Sequence, residues 1–252
     1  MACWLAFSSF GARCAEPTYQ SKSLTKWLKV FEKSEPNSAE ENRARDAVRT
    51  IGTNAIPNLI KMLRSEDLEL QQAGKNGFEI LGQVGAPAVP ELAQLLVGTN
   101  ELARFWAAQA LGEIGAPALP ALMAGLTNHH FAVGTDAALG IVKLGTNAAP
   151  ALPILLKDLQ HPDRYHRERA ADALGNLHIQ PELVVPALAN LLRDPSPAAC
   201  TIALNSLAQF GSGARSAAPL IIPLLTNPDF ADAAKLALRE IAPEMLTNAP
   251  PR

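Results

Sequence analysis

The sequence predicts an all-α fold, an α-solenoid of about seven stacked helical hairpins of 30–33 residues that follows an N-terminal capping helix. Three observations support this prediction. The 252 residues are 48% hydrophobic and include 16 Gly and 20 Pro, but only 3 Trp, 2 Tyr and 8 Phe. This composition is typical of closely packed helices that are interrupted at intervals. Apolar residues recur with a helical period, and the whole pattern repeats along the chain, which indicates a repeat architecture.

Charge and hydropathy exclude several classes of function. Lys and Arg number 22 against 24 Asp and Glu, so the chain has no large basic field. Nucleic acid and anionic membranes are therefore disfavoured as partners. No stretch of the repeat body reaches the roughly 18 apolar residues that a membrane-spanning helix needs. Three cysteines are too few for a disulfide framework.

Residues 1–18 are predicted to be an export leader or a disordered N-terminus. The first ten residues are largely apolar, and Ser9-Phe10-Gly11 has the small-x-small form of a cleavage site. However, no Lys or Arg precedes the apolar stretch, and Arg13 directly before Cys14 argues against a lipoprotein signal. The protein is periplasmic or secreted if residues 1–15 act as an export leader, and otherwise cytoplasmic.

Residues 19–38 are predicted to hold the capping helix, outside the register of the repeats. Its apolar residues fall at the spacing i, i+3, i+4 and i+7: Leu24, Trp27, Leu28 and Phe31. This spacing puts them on one face of a helix. Ser38 and Glu41 then have the spacing of a capping box, which predicts the start of the first repeat helix.

Residues 39–245 are predicted to form the repeats, and each unit begins with an amphipathic helix that we call helix A. Each helix A has an apolar anchor near its end: Ile51, Val84, Ile114, Leu144, Leu177, Phe210 and Ile241. The residue three positions earlier is always apolar, and the residue seven positions earlier is always Ala or Gly. These positions share one stripe, which predicts a buried face with room for close helix approach. Glycine follows the anchor in five units and is expected to end helix A: Gly52, Gly85, Gly115, Gly145 and Gly211.

A second helix, helix B, is predicted after each glycine. Proline, which suits the first turn of a helix, stands six or nine residues after six of the anchors: Pro57, Pro90, Pro120, Pro150, Pro186 and Pro219. Short polar turns then lead to the next helix A. One hairpin cannot bury its apolar face alone, so the units are expected to stack. Residues 246–252 lose the period and form a polar tail.

Two units resemble HEAT repeats, specifically the short bacterial kind known as phycobilisome-lyase HEAT-like repeats. They are AAQALGEIGAPALPALMAGL at 107–126 and ERAADALGNLHIQPELVVPALANLL at 168–192. The resemblance covers residues 39–243. The family's helix A carries an Arg that is matched by Arg104 and Arg167, whereas Gly134 and Cys200 occupy this position in two other units. The resemblance therefore implies an incomplete Arg ladder between repeats, and it says little about chemistry.

Candidate chemical groups are few. Four histidines fall in two successive turns between repeats: His129, His130, His161 and His166. Stacking could bring them near Asp163, but no spacing matches a zinc motif, so we interpret them as solvated residues and expect no metal or cofactor. Cys200 has no base beside it in sequence and is interpreted as a buried thiol. Five aromatic residues near the starts of A helices are interpreted as packing between repeats rather than as a ligand-binding ridge: Phe105, Trp106, Phe131, Tyr165 and Phe230.

The sequence thus favours a non-enzymatic scaffold that binds a protein or a peptide. In the family that the chain resembles, helix B lines the concave surface, and this implies a binding face at the outward positions of helix B. These are Asn58, Lys61, Glu91, Gln94, Ala121, Ala124, Lys157 and Asn190. The face is nearly neutral, which disfavours nucleic acid as the ligand. The resemblance also implies an alternative, a bilin-lyase-like enzyme or chaperone subunit that handles a tetrapyrrole.

Overall fold

The computed structural model describes residues 15–246, most of which are helical. Residues 1–14 of the candidate leader and residues 247–252 of the tail lie outside this range. Among the described residues, no helix combines the length and the apolar character that crossing a membrane requires. The chain divides into two compact units, residues 1–81 and 82–252, which are taken in turn.

The first unit contains the capping helix and the first repeat helices. Its helices are α1 (Leu24–Lys33), α2 (Ala39–Ile51), α3 (Ile56–Leu63) and α4 (Leu68–Leu81). Helix α1 lies where it was predicted and packs on α2 and α4. A short hairpin that the sequence did not predict, β1 (Thr18–Tyr19) with β2 (Lys22–Ser23), precedes α1. The Trp27 indole N–H donates a hydrogen bond to the Tyr19 carbonyl at 2.9 Å, which fastens the hairpin to the capping helix.

The predicted capping box at the start of α2 is present in a shifted form. The Ser38 hydroxyl accepts a hydrogen bond from the backbone N–H of Glu41 at 3.1 Å, as expected. The Glu41 carboxylate accepts from the backbone N–H of Asn37 rather than that of Ser38. Hydrogen bonds from Arg45 and then from Asn37 lower the pKa of Glu41. The arrangement still satisfies two N–H groups that a helix start would otherwise leave without partners.

The second unit contains the remaining helices. These are α5 (Val89–Leu96), α6 (Glu101–Ile114), α7 (Leu119–Leu126), α8 (Phe131–Lys143), α9 (Leu152–Asp158), α10 (Arg164–Leu177), α11 (Pro181–Asn190), α12 (Pro197–Gln209), α13 (Ala218–Ile221) and α14 (Ala231–Ile241). Even-numbered helices from α6 are A helices and pack in chain order, each against the next. Odd-numbered helices are B helices, and α7, α9 and α11 each pack against the helix A that follows. The predicted all-α solenoid of stacked hairpins is thereby confirmed.

The structure corrects the predicted end of one helix A. Helix α4 ends at Leu81, and the predicted anchor Val84 is 52% exposed. Gly82, with φ +51°, adopts the left-handed conformation that ends the helix, whereas Gly85 does not. In four of the five units with a glycine after the anchor, that glycine has a positive φ as predicted: Gly52, Gly115, Gly145 and Gly211.

Two predicted proline positions also differ. Pro150 lies in the 3-10 segment Gly145–Ala151, and Pro153 takes the second position of helix B instead. Pro186 lies inside α11, because this helix begins earlier, at Pro181. The last helix A, α14, is followed by the 3-10 turn Pro243–Met245, so no α-helical helix B follows it within the described range.

Glycine brings neighbouring A helices close together at two interfaces. Between α6 and α8, a Cβ built on Gly112 would lie 2.8 Å from the carbonyl oxygen of Gly140. Between α10 and α12, a Cβ on Gly175 would lie 2.6 Å from Ser206 Cβ, and the Ser206 hydroxyl donates to the Ala171 carbonyl at 2.8 Å. Helices α8 and α10 pack less closely than either of these pairs. The A-helix surface of the second unit is therefore most open between α8 and α10.

Candidate binding surfaces

The eight residues predicted to bind a partner all lie on B helices and reach solvent. Six are exposed, namely Lys61, Glu91, Gln94, Ala124, Lys157 and Asn190, and two are half-buried, namely Asn58 and Ala121. Asn58 and Lys61 belong to the first unit, and the other six belong to the second. The opposite side of each B helix is buried, as the 3.6-residue period predicts.

The B helices of the second unit also expose apolar residues that the sequence analysis missed. Leu183 on α11 is 52% exposed and Leu220 on α13 is 38% exposed. One exposed proline stands on each of these helices at or near the first turn: Pro90, Pro120, Pro153, Pro181 and Pro219. The apolar runs 183–185 and 220–222 hold more apolar residues than one buried stripe accepts. This excess of apolar residues is the feature of the sequence from which the exposed leucines could have been predicted.

The structure brings part of the histidine group together. The rings of His161 and His166 are stacked with centroids 3.9 Å apart. His129 lines the same cleft of about 680 Å³, together with Lys157 and Asp158, whereas His130 lines a neighbouring cleft. Within residues 15–246, no three His, Cys, Asp or Glu side chains are grouped so that they could hold a metal ion.

Arg169 is the charged residue at the centre of this region. Its side chain is only 4% exposed and donates to the Asp158 carboxylate at 2.5 Å. The same Nη2 lies 3.1 Å from His166 Nδ1. The guanidinium covers Gly134 so closely that a Cβ there would lie 2.2 Å from Nη1. Two buried guanidinium nitrogens, Nε and Nη1, have no hydrogen-bond partner among residues 15–246.

His166 makes stability depend on pH. Burial, followed by the charge of Arg169 and by His161, lowers the pKa of His166 from its ordinary value of 6.5. The unfolded chain therefore binds this proton at a higher pH than the folded protein does. We expect the stability that His166 contributes to be complete above about pH 6.5 and to decrease as the pH falls through the folded pKa. Urea unfolding at several pH values measures this dependence.

The control for that prediction is His166→Gln. Glutamine keeps a polar group beside Arg169 but does not titrate, so its pH profile should be flatter than that of the parent. His130→Gln makes the same substitution at an exposed histidine outside the contact with Arg169 and serves as the matched comparison. Identical profiles for the parent and His166→Gln would show that His166 does not carry the effect.

Cys200 is confirmed as a buried thiol, 1% exposed. Its Sγ lies 3.6 Å from the carbonyl oxygen of Leu192. Burial, and secondarily the charge of Asp194, raises the pKa of the thiol. A thiol that resists deprotonation is a poor nucleophile, so Cys200 belongs to the packing between helices.

The two Arg residues of the family motif form ion pairs toward the following repeat, Arg104 with Asp136 of α8 and Arg167 with Asp194 of the turn before α12. Arg104 Nε lies 2.5 Å from Asp136 Oδ2, and Arg167 binds both carboxylate oxygens of Asp194 at 2.7 and 2.8 Å. Burial raises the pKa of Asp136 despite Arg104. The hydrogen bonds from Arg167 lower the pKa of Asp194. The ladder is incomplete as predicted, because Gly134 interrupts it and Arg169 of the next helix A fills that space.

The aromatic residues form two separate pairs rather than one ridge. Phe105 and Trp106 are half-buried and meet edge to face at 5.1 Å. Phe131 and Tyr165 pack across two repeats at 5.8 Å, as expected, yet they are 38% and 48% exposed. Among the described residues, Phe230 has no ring contact with either pair. Phe131 and Tyr165 line a groove of about 290 Å³ between α8 and α10.

The chain belongs to the HEAT-repeat family. The family described as HEAT repeats matches residues 56–141, 89–158 and 152–242, which together span most of the chain. The match agrees with the stacked hairpins of the structure and identifies the protein as an armadillo-like helical repeat protein. No curated protein matches the chain.

Solved structures support the same fold. The complex of CpcE and CpcF of phycocyanin lyase from Nostoc sp. PCC7120 is 25% identical, with 61% of this chain and 98% of that chain covered and a TM-score of 0.50. The karyopherin Kap121p, bound to the extreme C-terminus of the protein phosphatase Cdc14p, is 14% identical over 90% of this chain and 28% of that chain, with a TM-score of 0.51. An engineered protein is 20% identical over 88% of this chain and 99% of that chain, with a TM-score of 0.50.

Proposed function

We propose that the protein is a non-enzymatic scaffold that holds another protein or an extended peptide on the face formed by its B helices. The observation that carries this proposal is the surface of the B helices in the second unit. Apolar and uncharged side chains dominate it, including Ala124, Leu183 and Leu220. Exposed apolar surface that recurs on successive repeats marks a site of interaction with other molecules.

The binding mode follows from the side chains present. Proline and alanine lose almost no rotamer freedom on binding, so a surface rich in them is ordered at little entropic cost. A partner backbone can approach closely over Ala121 and Ala124 because their side chains are short. Glu91 and Lys157 are exposed on α5 and α9 and would set the orientation of the partner by charge. Interfaces of this kind have an apolar centre and a polar rim.

The chemistry of the described residues supports a role without catalysis. A nucleophile needs a base within hydrogen-bond reach, and the Sγ of Cys200 instead lies against a backbone carbonyl. His166 Nδ1 faces the Arg169 guanidinium, and His161 stacks on the ring of His166. The two histidines and Arg169 therefore contact one another.

The test uses the full chain as bait in a lysate of the source organism. Ala124→Glu places a charge at the centre of the B-helix face and should weaken capture of a specific protein at least about tenfold, because a carboxylate must then be desolvated. Ala198→Glu makes the same change at an exposed position on an A helix, α12, and should leave capture intact. Circular dichroism should show equal helix content in both variants. Equal capture by both variants would contradict the proposed face.

The alternative function, a bilin-lyase-like subunit that handles a tetrapyrrole, is favoured by the likeness to the phycocyanin lyase structure. The two functions differ in an observable property. A tetrapyrrole-handling protein retains a visible chromophore from a pigment-containing lysate, whereas a scaffold elutes colourless with a protein. Visible absorption of the retained fraction distinguishes them.

A further inference from the structure

The groove between α8 and α10 lies on the A helices, whereas the proposed scaffold face lies on the B helices. Phe131, Leu139 and Val142 of α8 form one wall, and Tyr165 of α10 and Ile202 of α12 contribute to the rest. Three of these side chains, those of Phe131, Leu139 and Tyr165, are among the exposed large hydrophobic residues of the protein. Water therefore contacts an apolar groove of about 290 Å³.

Arg169 lies between α8 and α10 at the groove, whereas the neighbouring interfaces have glycine contacts. At the interfaces on either side, glycine lets the A helices approach until backbone or Ser206 atoms touch. Between α8 and α10, the space over Gly134 is occupied by the Arg169 guanidinium, which is held by Asp158. The side chain fills the space between the two helices as a wedge. Because its ion pair fixes it, the groove is a built feature of the fold.

Carboxylates line one side of the groove, while guanidinium groups lie over its aromatic rings: Arg164 is 4.6 Å from the Tyr165 ring centroid and Arg169 is 5.6 Å from that of Phe131. Glu168 and Asp172 of α10 line it, and the only basic residue in its lining, Arg169, is already paired with Asp158. The Asp172 side chain is exposed, and Glu168 accepts a hydrogen bond from the Ser196 hydroxyl at 3.0 Å. A ligand that enters the groove thus meets an apolar floor beside carboxylates. An apolar group that carries a positive charge next to it complements both features.

We propose that this groove is a second docking site, which binds a partner polypeptide by one bulky apolar side chain with a lysine or arginine beside it. A volume of about 290 Å³ is near the lower limit of small-molecule pockets. The size suits a single anchor residue better than a cofactor. An aromatic anchor would pack on Phe131 and Tyr165, and the neighbouring cation would contact Asp172.

The test uses synthetic peptides of Gly and Ser that carry one central pair: Phe-Lys, Ala-Lys or Phe-Glu. Titration of the full chain, observed through ¹³C-methyl resonances, should shift the methyl groups of Leu139, Val142 and Ile202 when Phe-Lys is added. Binding of Ala-Lys should be at least about tenfold weaker, because the apolar anchor is lost. Phe-Glu should bind at least about threefold more weakly than Phe-Lys, because the carboxylates of the groove repel its glutamate. Asp172→Lys should reverse the preference between Phe-Lys and Phe-Glu.

A matched pair of variants separates groove filling from general damage. Thr135 lines the groove, and its hydroxyl donates a hydrogen bond to the carbonyl four residues earlier at 3.1 Å. Thr201 occupies the same repeat position in α12 and makes the same bond at 3.0 Å, so it is the matched control. Thr135→Trp should abolish the shifts caused by Phe-Lys, and Thr201→Trp should keep them, with equal helix content. Ala124→Glu should also leave the methyl shifts caused by Phe-Lys unchanged. The test of the groove is therefore independent of the test of the B-helix face.

The proposal would be overturned if millimolar Phe-Lys peptide left the three methyl groups unshifted. It would also be overturned if Phe-Glu bound as well as Phe-Lys in the parent protein, or if both tryptophan variants lost binding equally.

Discussion

Arg104→Met is expected to lower the free energy of unfolding by about 3 kcal/mol or more. Arg104 and Asp136 are 8% and 13% exposed and join two successive A helices. Removing the arginine leaves a buried carboxylate without its cation. Breaking one side of a buried ion pair costs more than the pair itself contributes, because the remaining charge stays desolvated. Urea unfolding followed by circular dichroism measures the loss.

The double variant Arg104→Met, Asp136→Leu is the control, since it replaces both charges with apolar side chains. It should recover most of the lost stability. The pKa of Asp136 is already raised by burial and should rise further without Arg104. A carboxyl group with a raised folded pKa gains stability as the pH falls through that pKa. The deficit of Arg104→Met should therefore shrink in mild acid. A deficit that is independent of pH and remains in the double variant would indicate lost packing instead.

Gly140→Ala is expected to destabilise the protein by about 2 kcal/mol, although alanine is the better helix former. A Cβ on Gly140 would lie 2.6 Å from the Ala108 carbonyl oxygen and 2.6 Å from Leu122 Cδ2. The backbone oxygen belongs to the facing helix α6 and cannot rotate away, so α6 and α8 must separate. Separation opens packing along the whole interface.

Gly213→Ala provides the comparison for this prediction. No atom lies within 4 Å of a Cβ built on Gly213, and its φ is not positive. Alanine there should be neutral or stabilise by up to about 1 kcal/mol through the unfolded chain. If Gly140→Ala were as stable as Gly213→Ala, the close contact between α6 and α8 would not be a source of stability.

The sequence predicts the repeat because each feature of a hairpin is local. The small residue seven positions before each anchor and the proline near the start of helix B both act within one or two helical turns. Where two local signals compete, the prediction fails. Gly82 and Gly85 can each end a helix. The helix would continue to Gly85 if Val84 were buried, but Val84 is exposed and the helix ends at Gly82. Similarly, Pro181 and Pro186 both suit a first turn, and the structure uses the earlier one.

The exposed positions of helix B were predictable for the same reason. They follow from the 3.6-residue period, and all eight named residues are exposed or half-buried. The α8–α10 groove was not predictable, because it depends on residues that are distant in sequence. Arg169 occupies the space above Gly134, 35 positions earlier, and its partner Asp158 comes from the intervening helix B. Such a wedge has no local pattern in the sequence.

Site-specific photo-crosslinking tests the scaffold proposal most directly. A benzophenone amino acid replaces Ala124 on the B-helix face in one version of the full chain and Ala198 on α12 in the other, and both are irradiated in lysate. The proposed function predicts a discrete crosslinked protein from position 124 and none from position 198. A partner crosslinked only from position 198, or no protein from either position together with a retained chromophore, would contradict it.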